Sequence, residues 1–255
     1  MSLMVLYGGV TGIFIPMTTD TLPRIVLVTG GNRGIGLAIA HAFKANGDTV
    51  IVSHRSGTAP SGMNGVIMDV TDPESITRAF KQIESAFGSI DILIANAGIT
   101  KDGLSLRMSD DDFQSVVDTN LTGTFRTAQK VLSGMMKKKS GRVIFIGSVV
   151  GLLGSAGQVN YASTKSALVG MARSFAREYG SRNITFNVIA PGFVETDMTA
   201  QLSEELRSKY VDQIPLGRFC SPEEIAGVAT FLASTQAQYI TGAVIPVDGG
   251  LGMGH

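Results

Sequence analysis

Val26-Leu27-Val28-Thr29-Gly30-Gly31-Asn32-Arg33-Gly34-Ile35-Gly36 runs an apolar stretch into a glycine-rich turn. Ile25–Thr29 reads as a strand, and helical spacing resumes after Gly36 and continues to about Asn46. A helix that restarts there leaves unpaired backbone N–H groups at its N-terminus, where the helix dipole favours an anion. Glycines let that backbone come close to a pyrophosphate. The spacing is G-x-x-x-G-x-G, not the more general G-x-G-x-x-G, but the strand-turn-helix setting is the one a dinucleotide requires. Gly30, Asn32, Arg33, Gly34, Ile35 and Gly36 are the candidate contacts.

The same alternation continues outward from this turn. Thr49–Ser53, Val66–Met68, Ile90–Ala95, Arg142–Gly147, Ile184–Ala190 and Ala243–Val247 read as further strands. Between them lie helical segments. Thr71-Asp72-Pro73-Glu74 carries a capping signal with Pro in the first turn, and its helix runs to about Phe87. Asp110–Met136 reads as one or two helices, Tyr161–Tyr179 as another, and Ser221-Pro222-Glu223-Glu224 starts a last one. Apolar strands alternating with helices predict a parallel sheet covered on both faces. The expected fold is a single doubly wound, Rossmann-like α/β domain over residues 24–255, with a seven-stranded parallel sheet and helices on both faces. Residues 195–221 break the rhythm beyond the sixth strand, where open α/β sheets bind ligands, and read as a mobile substrate lid.

Residues 1–23 differ from the rest: they hold no Lys or Arg and a single acid, Asp20. A secretory signal needs a positive start, so this stretch reads as a loosely ordered extension. The chain has 21 basic and 21 acidic residues, a net charge of zero, which argues against a nucleic-acid binder. No apolar run is long enough to span a membrane. Cys220 is the only cysteine, which excludes an internal disulfide and suits a reducing cytoplasm. His41, His54 and His255 show no metal-ligand spacing.

Two further groups of residues bear on chemistry. About twenty residues beyond the glycine turn, a dinucleotide fold places the group that reads the ribose, and an acid there selects NAD. Here the second strand ends Ser53-His54-Arg55. Arg55, with Arg33, suits a 2′-phosphate, which points to NADPH/NADP+. Asp69 and Val70 close the third strand, and Asp69 is placed either to accept from an adenine amino group or to cap the next helix. Asn96-Ala97-Gly98 closes the fourth with small residues. The other group is Tyr161-Ala-Ser-Thr-Lys165, with Ser148 upstream. Positions i and i+4 share one helix face, so a lysine ammonium there is expected to lower the phenol pKa toward proton exchange at neutral pH.

Thr29-Gly30-x-x-x-Gly34-Ile35-Gly36, Asn96-Ala97-Gly98, Asn120, Ser148, Tyr161-x-x-x-Lys165 and Pro191-Gly192 stand in an order and spacing that resembles the short-chain dehydrogenase/reductase family. Within it, Asn120-Leu121-Thr122-Gly123, Gly147-Ser148-Val149-Val150-Gly151, Ala190-Pro191-Gly192-Phe193-Val194-Glu195-Thr196-Asp197-Met198 and Val247-Asp248-Gly249-Gly250 are similar to the 3-oxoacyl-[acyl-carrier-protein] reductases. The resemblance implies NADPH-dependent reduction of a 3-oxoacyl group in fatty acid synthesis. Tyr161 would be the acid, Lys165 its electrostatic and ribose-binding partner, and Ser148 the holder of the carbonyl. Asn120 would support a proton relay, and Pro191, Gly192, Val194 and Thr196 would lie beside the nicotinamide. It also implies a homotetramer and an acyl carrier protein docked near Lys139 and Arg182. The closing Gly250-Leu251-Gly252-Met253-Gly254-His255 resembles actinobacterial members that serve mycolic-acid synthesis. Leu153 stands where those carry Trp, so ordinary elongation is the expectation. The alternatives are a family member acting on another alcohol, sugar or steroid, and a catalytically silent nucleotide sensor.

Overall fold

The computed structural model describes residues 23–197 and 199–253. The extension at 1–23, but for Pro23, lies outside them, as do Gly254 and His255. Seven strands form one sheet: β1 (Ile25–Thr29), β2 (Thr49–His54), β3 (Asn64–Ile67), β4 (Ile92–Ala95), β5 (Gly141–Ile146), β6 (Ile184–Pro191) and β7 (Val244–Val247). Every pairing is parallel, in the order β3-β2-β1-β4-β5-β6-β7. Strand order reverses between β1 and β4, which opens a crevice at their carboxyl ends.

Among the described residues the eight α-helices are α1 (Gly34–Ala45), α2 (Pro73–Phe87), α3 (Asp110–Val117), α4 (Gly123–Lys138), α5 (Val150–Leu153), α6 (Val159–Tyr179), α7 (Glu204–Val211) and α8 (Pro222–Leu232). Side chains alternate across the strands and so feed two cores. Leu27, Ile51, Leu93, Val143 and Phe145 meet α2, α4 and α6 on one face. Val28, Val52, Ile94 and Ile146 meet α1 and α8 on the other. Both faces are thereby removed from water, which is why these strands are apolar throughout.

Helix starts follow local chemistry. The Asp72 side chain accepts from Glu74 N at 2.8 Å and caps α2, with Pro73 in its first turn. At α8 the Glu224 carboxylate reaches back to Ser221 N at 2.9 Å. The stretch read as Asp110–Met136 is two helices, α3 and α4, joined without a loop by a π-helical turn at Asp118–Thr122. β3 pairs from Asn64, two residues before the expected Val66, because an edge strand bonded only to β2 can expose its side chains. The segment 195–221 is built, not open loop. A 3₁₀ turn at Thr199–Gln201 precedes α7, whose cap Ser203 accepts from Leu206 N at 3.3 Å.

Candidate active site

β1 delivers the glycine turn to the crevice. Thr29 Oγ1 accepts from Asn96 N at 3.0 Å and Ala97 N at 2.9 Å, tying the ends of β1 and β4 together. Asn96 Nδ2 donates back to Thr29 O and Gly30 O at 3.0 and 3.1 Å. A Cβ at Gly36 would lie 2.5 Å from that amide nitrogen, so only glycine lets α1 begin this close to β4. Gly30 has φ +61°, the left-handed region that glycine tolerates. The turn thus presents the N-terminus of a twelve-residue helix to the crevice, a place built for an anion.

The surroundings fit a phosphorylated dinucleotide. Arg33 and Arg55 are exposed, and among the described residues neither has a carboxylate within 4.0 Å. Asp69 Oδ1 accepts from Thr71 N at 2.9 Å and Thr71 Oγ1 at 2.7 Å. Burial pushes the Asp69 pKa up, but the Thr71 hydrogen bonds and the Arg55 charge outweigh it and hold it below the usual value. Asp72, not Asp69, caps α2, which leaves Asp69 Oδ2 for another donor. Val70 is buried and packs where a Cβ on Gly123 would collide with it. On the far wall, Thr196 Cγ2 lies 3.5 Å from where a Cβ on Gly34 would be. The glycine turn and the segment after β6 therefore face one another. Pro191 O accepts from Val149 N at 2.8 Å and Gly192 N donates to Val247 O at 3.0 Å. Val194 bridges to Cys220, and its carbonyl accepts from Thr199 Oγ1 at 2.7 Å.

The residues that the sequence marks as candidates for the chemistry come from three places at the carboxyl edge. Ser148 follows β5, Tyr161 and Lys165 begin α6, and Asn120 sits in the π-helical turn. Ser148 stands close enough to the Tyr161 phenol to oppose the rise that burial gives its pKa. Lys165 is 6% exposed, and its Nζ donates to Ile146 O at 2.7 Å and lies 5.5 Å from the Tyr161 ring centroid. Burial lowers the Lys165 pKa to about 8. Asn120 Oδ1 accepts from Ile99 N at 2.8 Å, and Nδ2 donates to Ile99 O and Thr164 Oγ1 at 2.9 and 3.3 Å. A Cβ on Gly98 would fall 3.2 Å from Asn120 Oδ1 and 3.6 Å from Lys165 Nζ, so both side chains approach the space that this glycine leaves open.

The expected lowering of the Tyr161 pKa is corrected. Burial raises it, Ser148 opposes that, and the Asp102 charge adds to the rise. Lys165 donates to Ile146 O with its Nζ 5.5 Å from the ring centroid, and the phenol pKa is set instead by burial, Ser148 and Asp102. Cys220 is half-buried, and its thiol is pushed up to about 11, mainly by burial, which leaves it unreactive. A cavity of about 430 Å³ between Phe193, Arg218, Glu224, Asp248 and Met253 is lined by none of Asn120, Ser148, Tyr161 or Lys165. Lys139 and Arg182 stand just before β5 and β6, at the opposite edge of the sheet from Ser148. The six residues of β5 put about 20 Å between the two edges. Sequence reasoning gave no role to Thr29 or Thr164, although both lie within quoted motifs, nor to Gln158; their hydroxyl and amide groups tie the surrounding segments together.

A doubly wound sheet with a glycine turn at its switch point and a Ser-Tyr-Lys group beside it defines a dinucleotide-binding oxidoreductase. The chain belongs to the short-chain dehydrogenase/reductase family. A family model described as enoyl-(acyl carrier protein) reductase matches residues 30–252. The 3-oxoacyl-[acyl-carrier-protein] reductase MabA of Mycobacterium tuberculosis is 51% identical over 232 residues, covering 91% of this chain and 94% of that protein. The reductases named FabG are similar over comparable lengths. That of Aquifex aeolicus is 49% identical over 240 residues, 89% of this chain and 97% of its own. That of Escherichia coli is 46% identical over 238 residues, 90% and 98%. Among the described residues no helix is long and apolar enough to cross a membrane.

Proposed function

We propose that this chain reduces the ketone of 3-oxoacyl groups on acyl carrier protein to the 3-hydroxyacyl product, using NADPH, in the cytoplasm. The observation that carries this reading is the convergence of Ser148, at the end of β5, with Tyr161 and Lys165, at the start of α6, where Lys165 is buried with its Nζ 5.5 Å from the Tyr161 ring centroid. Bound NADPH supplies the hydride that reaches C3. Ser148 orients the carbonyl oxygen, and Tyr161 gives that oxygen its proton as the carbon–oxygen double bond becomes an alcohol. A phenol kept protonated by burial is the right acid for reduction at neutral pH. Lys165, which with Asn120 approaches the space beside Gly98, is the route by which the phenol regains a proton and the group that binds the nicotinamide ribose. Gly30, Asn32 and Gly34 to Gly36 hold the pyrophosphate, Arg33 and Arg55 the 2′-phosphate, Asp69 and Val70 the adenine, and Asn96 to Gly98 the ribose. Pro191, Gly192, Val194 and Thr196 flank the nicotinamide. The relatives named for ketone reduction, alike over nine-tenths of the chain, favour it over the double-bond reduction in the family model's description.

The segment 195–221 closes over the acyl substrate as a lid. A homotetramer fits the outer edge of β7 and the exposed Phe125 and Met136 of α4. Carrier docking at Lys139 and Arg182 needs a neighbouring copy to bring a site within reach. The test is NADPH oxidation by the purified protein with acetoacetyl-coenzyme A. Turnover is expected with NADPH and little with NADH. Tyr161→Phe should lose about 10²–10⁴-fold in kcat with NADPH affinity intact, and Arg55→Asp should shift preference toward NADH. No turnover of this ketone or of acetoacetyl carrier protein overturns the reading.

A further inference from the structure

α7 is too small to hold itself in place. It has eight residues, and none of its side chains is fully buried. A helix this short is marginal in water on its own, so it persists through what it docks against. Arg207 and Tyr210 stand three residues apart and share one of its faces. Tyr210 stacks on Phe193 with ring centroids 4.3 Å apart and planes at 24°. Phe193 also stacks on Phe219, at 5.2 Å and 17°. The Arg207 guanidinium lies 4.5 Å from the Phe219 ring centroid, and its Nη2 donates to Glu195 Oε1 at 2.6 Å.

The receiving side is itself tied down. Cys220 N donates to Phe193 O and Glu195 N donates to Cys220 O, both at 2.9 Å, so the backbones that carry the two Phe rings are bonded to each other. Phe219 is 2% exposed. Beyond α7 the chain is pinned again, where Leu216 N donates to Gly249 O at 3.1 Å. All of these contacts are made within the chain, so the clasp needs no ligand atom to form.

We propose that Arg207 and Tyr210 are positioning residues whose clasp on Phe219 and Phe193 seats the lid before substrate arrives, so that the acyl ketone meets a preformed wall. The proposal rests on the reading of residues 195–221 as the substrate lid. Phe193 directly follows Pro191-Gly192, the pair assigned to the nicotinamide, so the clasp joins the lid to the floor of the site. A wall seated in advance spares the substrate the cost of ordering it.

The experiment follows hydrogen–deuterium exchange of the α7 amides in the purified, cofactor-free protein, with the sheet strands as internal reference. Wild-type α7 should be protected already, and NADPH should add little. Tyr210→Ala should speed α7 exchange about 3–10-fold, the worth of an aromatic pair, with strand exchange unchanged. Tyr210→Phe keeps the ring and should exchange like wild type. Arg207→Gln should give a smaller rise. Going from about 0.02 to about 0.5 M salt should speed α7 exchange in wild type and not in Arg207→Gln, because the Arg207–Glu195 pair is partly exposed and screened. KM for acetoacetyl-coenzyme A should rise in Tyr210→Ala with kcat nearly unchanged. Equal α7 exchange in wild type, Tyr210→Ala and Arg207→Gln overturns the proposal. So does a wild-type α7 that exchanges freely until NADPH is added. Absence of ketone turnover with this exchange pattern intact would instead remove the reading of the substrate and leave the clasp standing.

Discussion

The two edges of the sheet treat charge in opposite ways. At the amino edge three cations beside the strands, Arg24, Lys138 and Arg142, are tied down. Arg24 makes a bidentate pair with Asp48 at 2.8 and 2.7 Å and donates to Ala233 O. Lys138 bonds Asp91 at 2.6 Å and Ser89 O at 2.8 Å, while Asp91 Oδ2 accepts from Ile25 N. Arg142, 8% exposed, donates to the carbonyls of Gly141 and Asn183. At the carboxyl edge Lys165 is buried on a single carbonyl, and Arg33 and Arg55 stand without carboxylates among the described residues. One edge spends its polar groups on holding strands in register. The other keeps them available at some expense in stability, as sites that bind charged ligands do.

Breaking that contrast should give its largest effect at Lys165. Lys165→Met should lower kcat at least about 100-fold and still raise the melting temperature of the cofactor-free protein at pH 7. Between about 8 and the ordinary lysine value of 10.5, only the unfolded chain holds the proton, so wild-type stability rises with pH across that window. A shift of this size corresponds to a penalty on the order of 3 kcal/mol below it. The advantage of Met should therefore fade toward pH 10, which calorimetry against pH will show. An unchanged melting temperature at pH 7 would mean that Lys165 is comfortable where it lies.

Arg24→Met probes the opposite edge. It strands Asp48, whose side chain is 5% exposed, and should cost about 1–3 kcal/mol by urea unfolding with kcat unchanged. A loss of activity without a loss of stability would erase the division between the edges. The smallest effect is expected at Glu224, exposed but bonded to Arg218 and Ser221, whose pKa is held down to about 2, chiefly by Arg218. A depressed carboxylate adds stability above its unfolded value near 4.5, and that contribution is lost as pH falls toward 2. Glu224→Gln should flatten the acid side of the melting curve over that range, and salt should weaken the difference.

Much of this was legible in the sequence because the relevant signals are local. Ile25–Thr29 and Pro73–Phe87 are bounded by a glycine turn and by Asp72-Pro73, which act within one or two residues. Tyr161, Lys165 and Ser148 converge because the carboxyl end of β5 and the start of α6 are adjacent in any doubly wound fold. What stayed hidden depends on contacts distant in sequence. The Thr29 hydroxyl finds its partners 67 and 68 residues away. The sign of the Tyr161 shift depends on burial and on Asp102, neither of which i,i+4 spacing reports. α5 is a single short turn without a cap, and α7 was passed over although Ser203-Glu204-Glu205 has the chemistry of a helix start.

The π-helical turn at Asp118–Thr122 amounts to one extra residue threaded into an otherwise continuous helix. Each residue turns an α-helix by about 100°, so that single addition re-aims everything downstream of it. α3 can then lie against α6 while α4 turns to β4, β5 and α2, although the chain never leaves helical hydrogen bonding. The joint works as a swivel set by counting. Removing one residue from it would leave composition and hydrophobicity nearly untouched and still swing the Asn120 amide away from Ile99 and Thr164.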